Sequence, residues 1–147
     1  MKKLCMTMAM ILCVSVGCMK MWAGNNDHDL EKVRDFYRQY AVAYSIKNLK
    51  ASFAKCDSLL KIYCSETICK DTKDDRGGTG IYYDYATDDA GIDTLSVKTL
   101  DVKPVGNNYI VTYKRNAKDD RNRYYIRSIK LRVTVKGGKI NQVTEIL

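Results

Sequence analysis

Histidine and proline each occur only once in the 147 residues, which narrows the functions open to this chain. Histidine supplies many acid–base catalysts and zinc ligands, and His28 lies near the expected start of a helix without a recognisable partner. The single proline and the nine glycines argue against a disordered or low-complexity chain. We therefore expect one folded domain that lacks the usual parts of an enzyme.

Acidic residues are absent from the first 23 positions and are outnumbered by basic ones, 17 to 25, in the whole chain. Lys2, Lys3 and Lys20 lie in the acid-free segment, so the remainder carries 22 basic and 17 acidic residues, a net charge of +5. The two signs are interleaved there, which is typical of a solvated surface. Nucleic acid is therefore not favoured as a partner.

The acid-free segment has the pattern of an export signal. A positive start, Met1-Lys2-Lys3, precedes an uncharged and mostly apolar run at 4–19, which is shorter than a comfortable membrane span. We expect residues 1–23 to be a signal peptide and residues 24–147 to form a single α+β domain. The expected location is the periplasm, or the outer membrane if the protein is a lipoprotein.

Two cleavage positions fit the signal. Gly17-Cys18 resembles a bacterial lipobox, and cleavage after Gly17 would leave Cys18 as a lipid-bearing N-terminus. Alternatively, Ala23 offers the small residue that ordinary signal peptidase requires. The sequence leaves both open, and a lipid anchor is the only contact with a membrane that we expect.

Three cysteines follow the signal: Cys56, Cys64 and Cys69. Cys56 and Cys64 on one straight helix would lie about 12 Å apart along its axis, too far for a disulfide. Cys64 and Cys69 can form a disulfide if the helix breaks near Ser65, and free thiols are the alternative. The spacing does not match a zinc site, so we expect no metal and no cofactor.

The first half of the domain has helical periodicity. Apolar and aromatic residues recur at helical spacing from Leu30 to Tyr44, and a second helix is expected from Leu49 to about Tyr63. A short third helix is expected from Ser65 through Cys69. The polar, glycine-rich residues 71–80 predict a loop.

The second half has strand periodicity. Residues 129–135 alternate apolar side chains with Lys130, Arg132 and Thr134, so one face is apolar and the other basic. Gly137-Gly138 predicts a turn into a last strand. A strand through residues 95–102, bent by a bulge near Thr99, and another at 109–114 complete an antiparallel sheet of about four strands.

Four tyrosines are candidates for a ligand pocket between the first helix and the concave side of the sheet: Tyr40, Tyr44, Tyr83 and Tyr85. The alternative is that these rings simply cover the sheet, with their hydroxyls at the rim. Asp84 alternates with Tyr83 and Tyr85, so we expect it to point away from the pocket as a rim or structural carboxylate.

Asp84, Asp88 and Asp89 form an acidic cluster beside those tyrosines. They could act as acids in a cleft or bind calcium, but the spacing of a calcium-binding loop is absent. Carboxylates that cap turns are the favoured interpretation.

A basic surface is expected on the outer face of the sheet at Arg127, Lys130 and Arg132, with Lys114 nearby. Such a row could meet an acidic partner or anionic lipid. It could equally protect a solvent-facing sheet from pairing with other chains, and this second interpretation is favoured.

Several short motifs resemble the family called domain of unknown function 3828: Phe36-Tyr37-Arg38-Gln39-Tyr40, Leu60-Lys61-Ile62-Tyr63-Cys64-Ser65, Tyr83-Asp84-Tyr85 with Asp88-Asp89, and Gly138-Lys139-Ile140-Asn141-Gln142-Val143. Members are small exported bacterial proteins, often lipoproteins, similar in shape to nuclear transport factor two and the cystatins. The resemblance implies a cone-shaped α+β domain with helices packed on the concave side of a curved sheet. It implies no catalytic residues, because the family has none established.

Three classes of function remain open. The first is a non-enzymatic binding module of the cell envelope, for a small ligand or a protein partner. The second is a hydrolase that uses Asp84, Asp88 and Asp89, and the third is an inhibitor or immunity-type protein, supported by analogy of fold alone. The first is favoured, because a nucleophile with a base at recognisable spacing, and a metal motif, are missing from the sequence.

Replacing Cys18 by Ser tests the export signal. If Cys18 carries lipid, Cys18→Ser should reduce the mass of the mature protein and release it from the membrane fraction. Mass spectrometry and cell fractionation measure both. An unchanged mass and unchanged membrane association would contradict the lipobox.

Overall fold

The computed structural model describes residues 27–76, 83–88 and 91–147, with the side chains of residues 74–76 left aside. The predicted signal segment, Cys18 and Asp89 lie outside these residues. Helix α1 covers residues 27–44, and three further helices follow: α2 (Leu49–Tyr63), α3 (Glu66–Arg76) and α4 (Thr94–Thr99). Four strands complete the chain: β1 (Asp101–Val105), β2 (Asn108–Lys118), β3 (Tyr124–Lys136) and β4 (Lys139–Glu145). None of the described helices is long and apolar enough to cross a bilayer.

The strands form one antiparallel sheet in the order β1-β2-β3-β4, and the helices pack on one face of it. This confirms the expected α+β class, with helices on an open, curved sheet. Short turns connect consecutive strands because the sheet is antiparallel throughout. The turn at Gly137 and Gly138 has φ of 58° and 70°, the left-handed values that a two-residue hairpin requires at both central positions.

Helix α1 is the main cover of the sheet. Its buried side chains follow the helical period and include Val33, Phe36, Tyr37, Tyr40 and Ala41. They face the buried side chains of the alternating strands: Tyr109, Val111, Tyr113, Ile129, Leu131 and Val133. The core therefore lies between α1 and the sheet, as the two periodicities predict.

A bulge near the end of the sheet explains the spacing of the last strand. Thr134 pairs with Gln142, but Val135 pairs with Ile140, so Asn141 is an extra residue on β4. This extra residue shifts the phase of alternation. Ile140 and Val143 can therefore both contribute to the core although they are three residues apart.

Residues 94–99 are helical, which corrects the expected strand through 95–102 and its bulge near Thr99. Asp93 Oδ1 accepts a hydrogen bond from Ser96 N at 3.1 Å, and Asp93 N donates to Ser96 Oγ at 3.3 Å. This reciprocal capping box fixes a helix start. The capping box thus starts a helix despite the strand-like alternation of Leu95 and Val97, and β1 begins only at Asp101.

Two further boundaries differ from the prediction. Helix α3 runs to Arg76, beyond Cys69 and into the expected loop, because Ile68 and Thr72 are buried one turn apart and hold the helix against the fold. Strand β2 extends to Lys118, past the expected end at Lys114, because Asn116, Ala117 and Lys118 continue the ladder with β3.

The alternation of β3 can be tested with neighbouring residues. Leu131 is fully buried and Arg132 is exposed. Leu131→Ala should lower the free energy of unfolding by about 2–5 kcal/mol, because it removes buried methyl groups and leaves a cavity. Arg132→Ala should change it by less than about 0.5 kcal/mol. Denaturant titrations of both variants measure this, and equal effects would contradict the assigned faces of β3.

Candidate functional site

The predicted tyrosine pocket is a buried hydrogen-bond cluster around Asp84. Tyr40 and Tyr44 of α1 both donate to Asp84 Oδ2, at 2.9 and 2.7 Å, and Ala86 N donates to Oδ1 at 2.9 Å. Asp84 and Tyr40 have no exposed surface. Gly91 leaves room for the Tyr44 ring, since a Cβ there would lie 2.8 Å from Tyr44 Cε1. Asp84 therefore holds the segment after α3 against α1.

Tyr83 and Tyr85 do not join this cluster. Their ring centroids lie 5.0 Å apart, and Tyr85 is exposed. Alternation along the chain sends Asp84 to the opposite side, as predicted, but that side faces α1 and is buried. The structure thus corrects the expectation of one pocket lined by all four tyrosines. Of the two roles expected for Asp84, rim or structural carboxylate, it has the structural one, in the interior of the fold.

Asp88 also has a structural position. It adopts φ of 49°, accepts a hydrogen bond from Tyr83 Oη, and accepts one from Glu145 N at 2.5 Å. These bonds tie the segment after α3 to the end of β4. Among the described residues, no three histidine, cysteine or acidic side chains cluster as metal ligands would.

The predicted basic surface is smaller than expected. Lys130 and Arg132 are exposed on the outer face of β3. Arg127, however, is an odd-numbered position, in phase with the buried Ile129, and its guanidinium contacts both carboxylate oxygens of Glu145 at 2.9 and 2.7 Å. Since successive side chains alternate across a strand, Arg127 is not part of the Lys130 and Arg132 row.

Cys56, Cys64 and Cys69 are all free thiols. The chain does leave the helix at Cys64 and Ser65, as the candidate disulfide between Cys64 and Cys69 would need, but that disulfide is not formed. Burial raises the pKa of Cys64 far above its usual range, and the nearby Cys69 and Asp84 raise it further. At neutral pH Cys64 is therefore a neutral thiol and a poor nucleophile.

A concave surface of about 700 Å³ lies where α2, α3 and β4 meet, close to these thiols. Its lining is dominated by lysines and includes two of the cysteines: Lys61, Cys64, Ser65, Glu66, Cys69, Lys70, Lys73 and Lys139. Four of these residues carry positive charge and only one carries negative charge. We refer to it below as the lysine cavity.

The junction of three elements brings these lysines together. Ser65 N donates to Ile140 O at 2.8 Å, which fastens the α2–α3 link to β4. Lys139 Nζ then donates to the carbonyl oxygens of Lys61, at 2.9 Å, and of Ile62. These carbonyls belong to the last turn of α2, where the helix dipole favours a cation.

The charges of the lysines reach the centre of the cavity. Burial is the largest effect on the pKa of Cys69 and raises it; Lys139 and Lys73 lower it, Asp57 raises it, and Lys61 lowers it least. Three ammonium groups therefore stabilise negative charge at the position of this sulfur. The cavity is suited to an anion, with Glu66 as the acidic residue of its lining.

Sequence reasoning missed the lysine cavity because Lys139 is far in the chain from Lys61 and Lys70. One local signal existed: Glu66, Cys69, Lys70 and Lys73 follow the helical period and share one face once α3 is extended. The prediction ended the third helix at Cys69, so Lys70 and Lys73 were not recognised as part of that face.

No protein-family model and no curated protein matches the sequence. Among solved structures, the chain is similar to a protein of unknown function from Bacteroides thetaiotaomicron, with 20% identity and a TM-score of 0.62. The similarity covers 88% of this chain and 98% of that chain. At this identity the similarity establishes the fold alone, and the fold is shared over nearly the whole of the other protein.

Removing the Asp84 carboxyl group should destabilise the fold strongly. Asp84→Ala takes the acceptor away from two tyrosine hydroxyls at once, and each polar group left unsatisfied in the interior costs about 1–3 kcal/mol. Tyr85→Phe, which removes a hydroxyl from an exposed ring, is the control and should change stability by less than about 0.5 kcal/mol. Thermal and denaturant unfolding measure both, and a small effect of Asp84→Ala would mean that the cluster is not structural.

Proposed function

We propose that this protein is a non-enzymatic binding module of the bacterial cell envelope that holds an anionic ligand in the lysine cavity. The observation that carries the proposal is the convergence of four lysines on one cavity of about 700 Å³. This volume lies within the range of small-molecule sites, about 300–1,000 Å³. The pattern of residues 1–23 supports export.

The chemistry of the lining defines the class of ligand. Lysine ammonium groups form charge-assisted hydrogen bonds with carboxylate and phosphate oxygens. Cys64 contributes a neutral, buried thiol, and such a thiol behaves as a small apolar group. A ligand with an anionic head and an apolar body therefore fits better than a bare inorganic ion.

The positions of the other candidate groups favour binding over catalysis. Both oxygens of Asp84 already accept hydrogen bonds within the fold. His28 is exposed, and its charged neighbour Asp29 is 3.9 Å away. Neither residue lines the lysine cavity. A hydrolase would need an acid or base beside its ligand, and Glu66 is the single carboxylate in the lining.

Octyl phosphate and inorganic phosphate are suitable probes, measured by isothermal titration calorimetry. Octyl phosphate should bind more tightly, and its affinity should fall as salt concentration rises. In the double variant Lys61→Gln/Lys73→Gln the affinity should fall at least about tenfold, because two charge-assisted contacts are lost.

The control is Lys50→Gln/Lys98→Gln, which makes the same change in net charge at exposed lysines outside the cavity lining. Its affinity for octyl phosphate should stay within about twofold of the parent. Equal losses in the two double variants would show non-specific attraction and overturn the site. Release of octanol from octyl phosphate would overturn the non-enzymatic assignment.

A further inference from the structure

The β2–β3 hairpin projects beyond the rest of the sheet. β1 pairs with β2 only as far as Thr112, and β4 pairs with β3 only from Leu131 onwards. The ladder between β2 and β3 continues to the pair Lys118 and Tyr124. This projecting part is a two-stranded ribbon, and a two-stranded ribbon without a third strand or a packed helix is only marginally stable.

The β2 edge of the ribbon is covered by the α4 region. Lys114 N donates to Thr99 Oγ1 at 2.9 Å, and Asn116 N donates to Asp93 Oδ2 at 2.8 Å. The outward N–H groups of Lys114 and Asn116 thus have side-chain partners, in place of a neighbouring strand. At these two residues the edge is closed to further pairing.

The β3 edge of the ribbon is open within the described part of the chain. Ile146 N donates to Lys130 O at 2.8 Å, and this is the last backbone hydrogen bond of the β4 segment along β3 within the described residues. Backbone groups of a strand point to alternate sides, so Ser128, Ile126 and Tyr124 direct theirs the same way as Lys130. No described strand lies against these three residues.

The open edge carries large apolar side chains. Tyr124 is 76% exposed, Tyr125 48% and Ile126 61%. The opposite edge of the sheet, β1, carries Lys103 and Pro104, residue types that protect an edge strand from pairing. The segment from Tyr124 to Ile126 has neither type of protection.

We propose that this edge pairs with the same edge of a second copy of the chain, in antiparallel orientation, with a two-fold axis at Ile126. Ile126 then lies opposite the second copy's Ile126, and Tyr124 lies opposite the second copy's Ser128. The three outward residues of each chain exchange about six backbone hydrogen bonds. The two sheets become one continuous sheet.

A second copy fits because the edge is complementary to itself. A two-fold interface requires the same patch on both chains, and an edge strand that pairs antiparallel with its own copy meets this requirement. The two isoleucines meet on the outer face, where Tyr124 of each chain extends the apolar strip. A strand of unrelated sequence could form the backbone hydrogen bonds, but it would not place an isoleucine and a tyrosine at the positions related by the two-fold axis.

Charge does not oppose the pairing. Along β3, the charged side chains within three residues of the axis are Arg123 and Arg127. From β2, Lys118 Nζ lies over the Tyr124 ring, 4.6 Å from its centroid. Arg123 pairs with Asp119 at 2.7 Å, and Arg127 pairs with Glu145 at 2.7 Å. Lys130 lies four residues from the axis, so the two copies of this lysine would be about 26 Å apart along the strands. Like charges therefore do not meet at the axis.

Cysteine substitution tests the register in the full chain. Opposed residues of a hydrogen-bonded antiparallel pair have Cα atoms about 5.5 Å apart, within reach of a disulfide. Ile126→Cys should cross-link to itself under mild oxidation. Ser128→Cys alone should not, because its own copy is about 13 Å away along the strands. A mixture of Tyr124→Cys and Ser128→Cys chains should cross-link.

The parent protein, oxidised in parallel, controls for its native cysteines, and non-reducing electrophoresis reads the result. Cross-linking of Ile126→Cys no greater than that of the parent or of Ser128→Cys would overturn the register. This test is independent of the lysine cavity, since it uses no ligand.

Sedimentation of the full chain tests the association itself. The parent should sediment as a dimer at high micromolar concentration. Ile126→Pro should be monomeric with an unchanged circular dichroism spectrum, because the N–H that proline removes points outward and is not used by β2. A monomeric parent, or a dimer that persists in folded Ile126→Pro, would overturn the proposal. If Ile126→Pro does not fold, the cross-linking pattern of the cysteine variants tests the proposal instead.

Discussion

The packing of α1 on the sheet is the constraint on which the rest of this structure depends. Helix α1 buries Tyr37 and Tyr40 in the core, and each hydroxyl must find an acceptor there. Tyr37 Oη donates to Ala86 O and Tyr40 Oη donates to Asp84, both at 2.9 Å. The same bonds that satisfy the helix therefore fix the segment that joins the helical half to the sheet. At this one interface the two tyrosine rings are buried and their hydroxyls are hydrogen-bonded at the same time.

Because α1 and its tyrosines fill the centre of the sheet, the proposed binding surfaces lie at its margins. One margin is the α2–α3–β4 junction, where Ser65 and Lys139 bind the helices to the last strand and leave a cavity beside them. Another is the projecting β2–β3 ribbon, which extends past the covered part of the sheet. The first concentrates positive charge, and the second exposes backbone and apolar side chains.

Asp84, Asp88 and Cys64 are parts of the scaffold. Asp84 and Asp88 bind tyrosine hydroxyls and backbone amides, and Cys64 is a neutral thiol packed at the end of α2. A group whose hydrogen-bonding capacity is used by the fold has little left for a substrate. This distribution supports a role in binding, in which the lysines supply the polar contacts.

The sequence by itself determined the α+β class, the start of α2, the hairpin at Gly137 and Gly138, and the faces of β3, because each depends on local periodicity or on turn conformation. It also contained the Asp93–Ser96 capping box, a local signal that the apolar alternation obscured. Only the tertiary structure decided which side of Asp84 is interior and which lysines share a cavity. Both depend on where α1 and the α2–α3–β4 junction lie in space. Side chains such as Lys61 and Lys139, which are distant in the chain, meet only when long-range packing places them together.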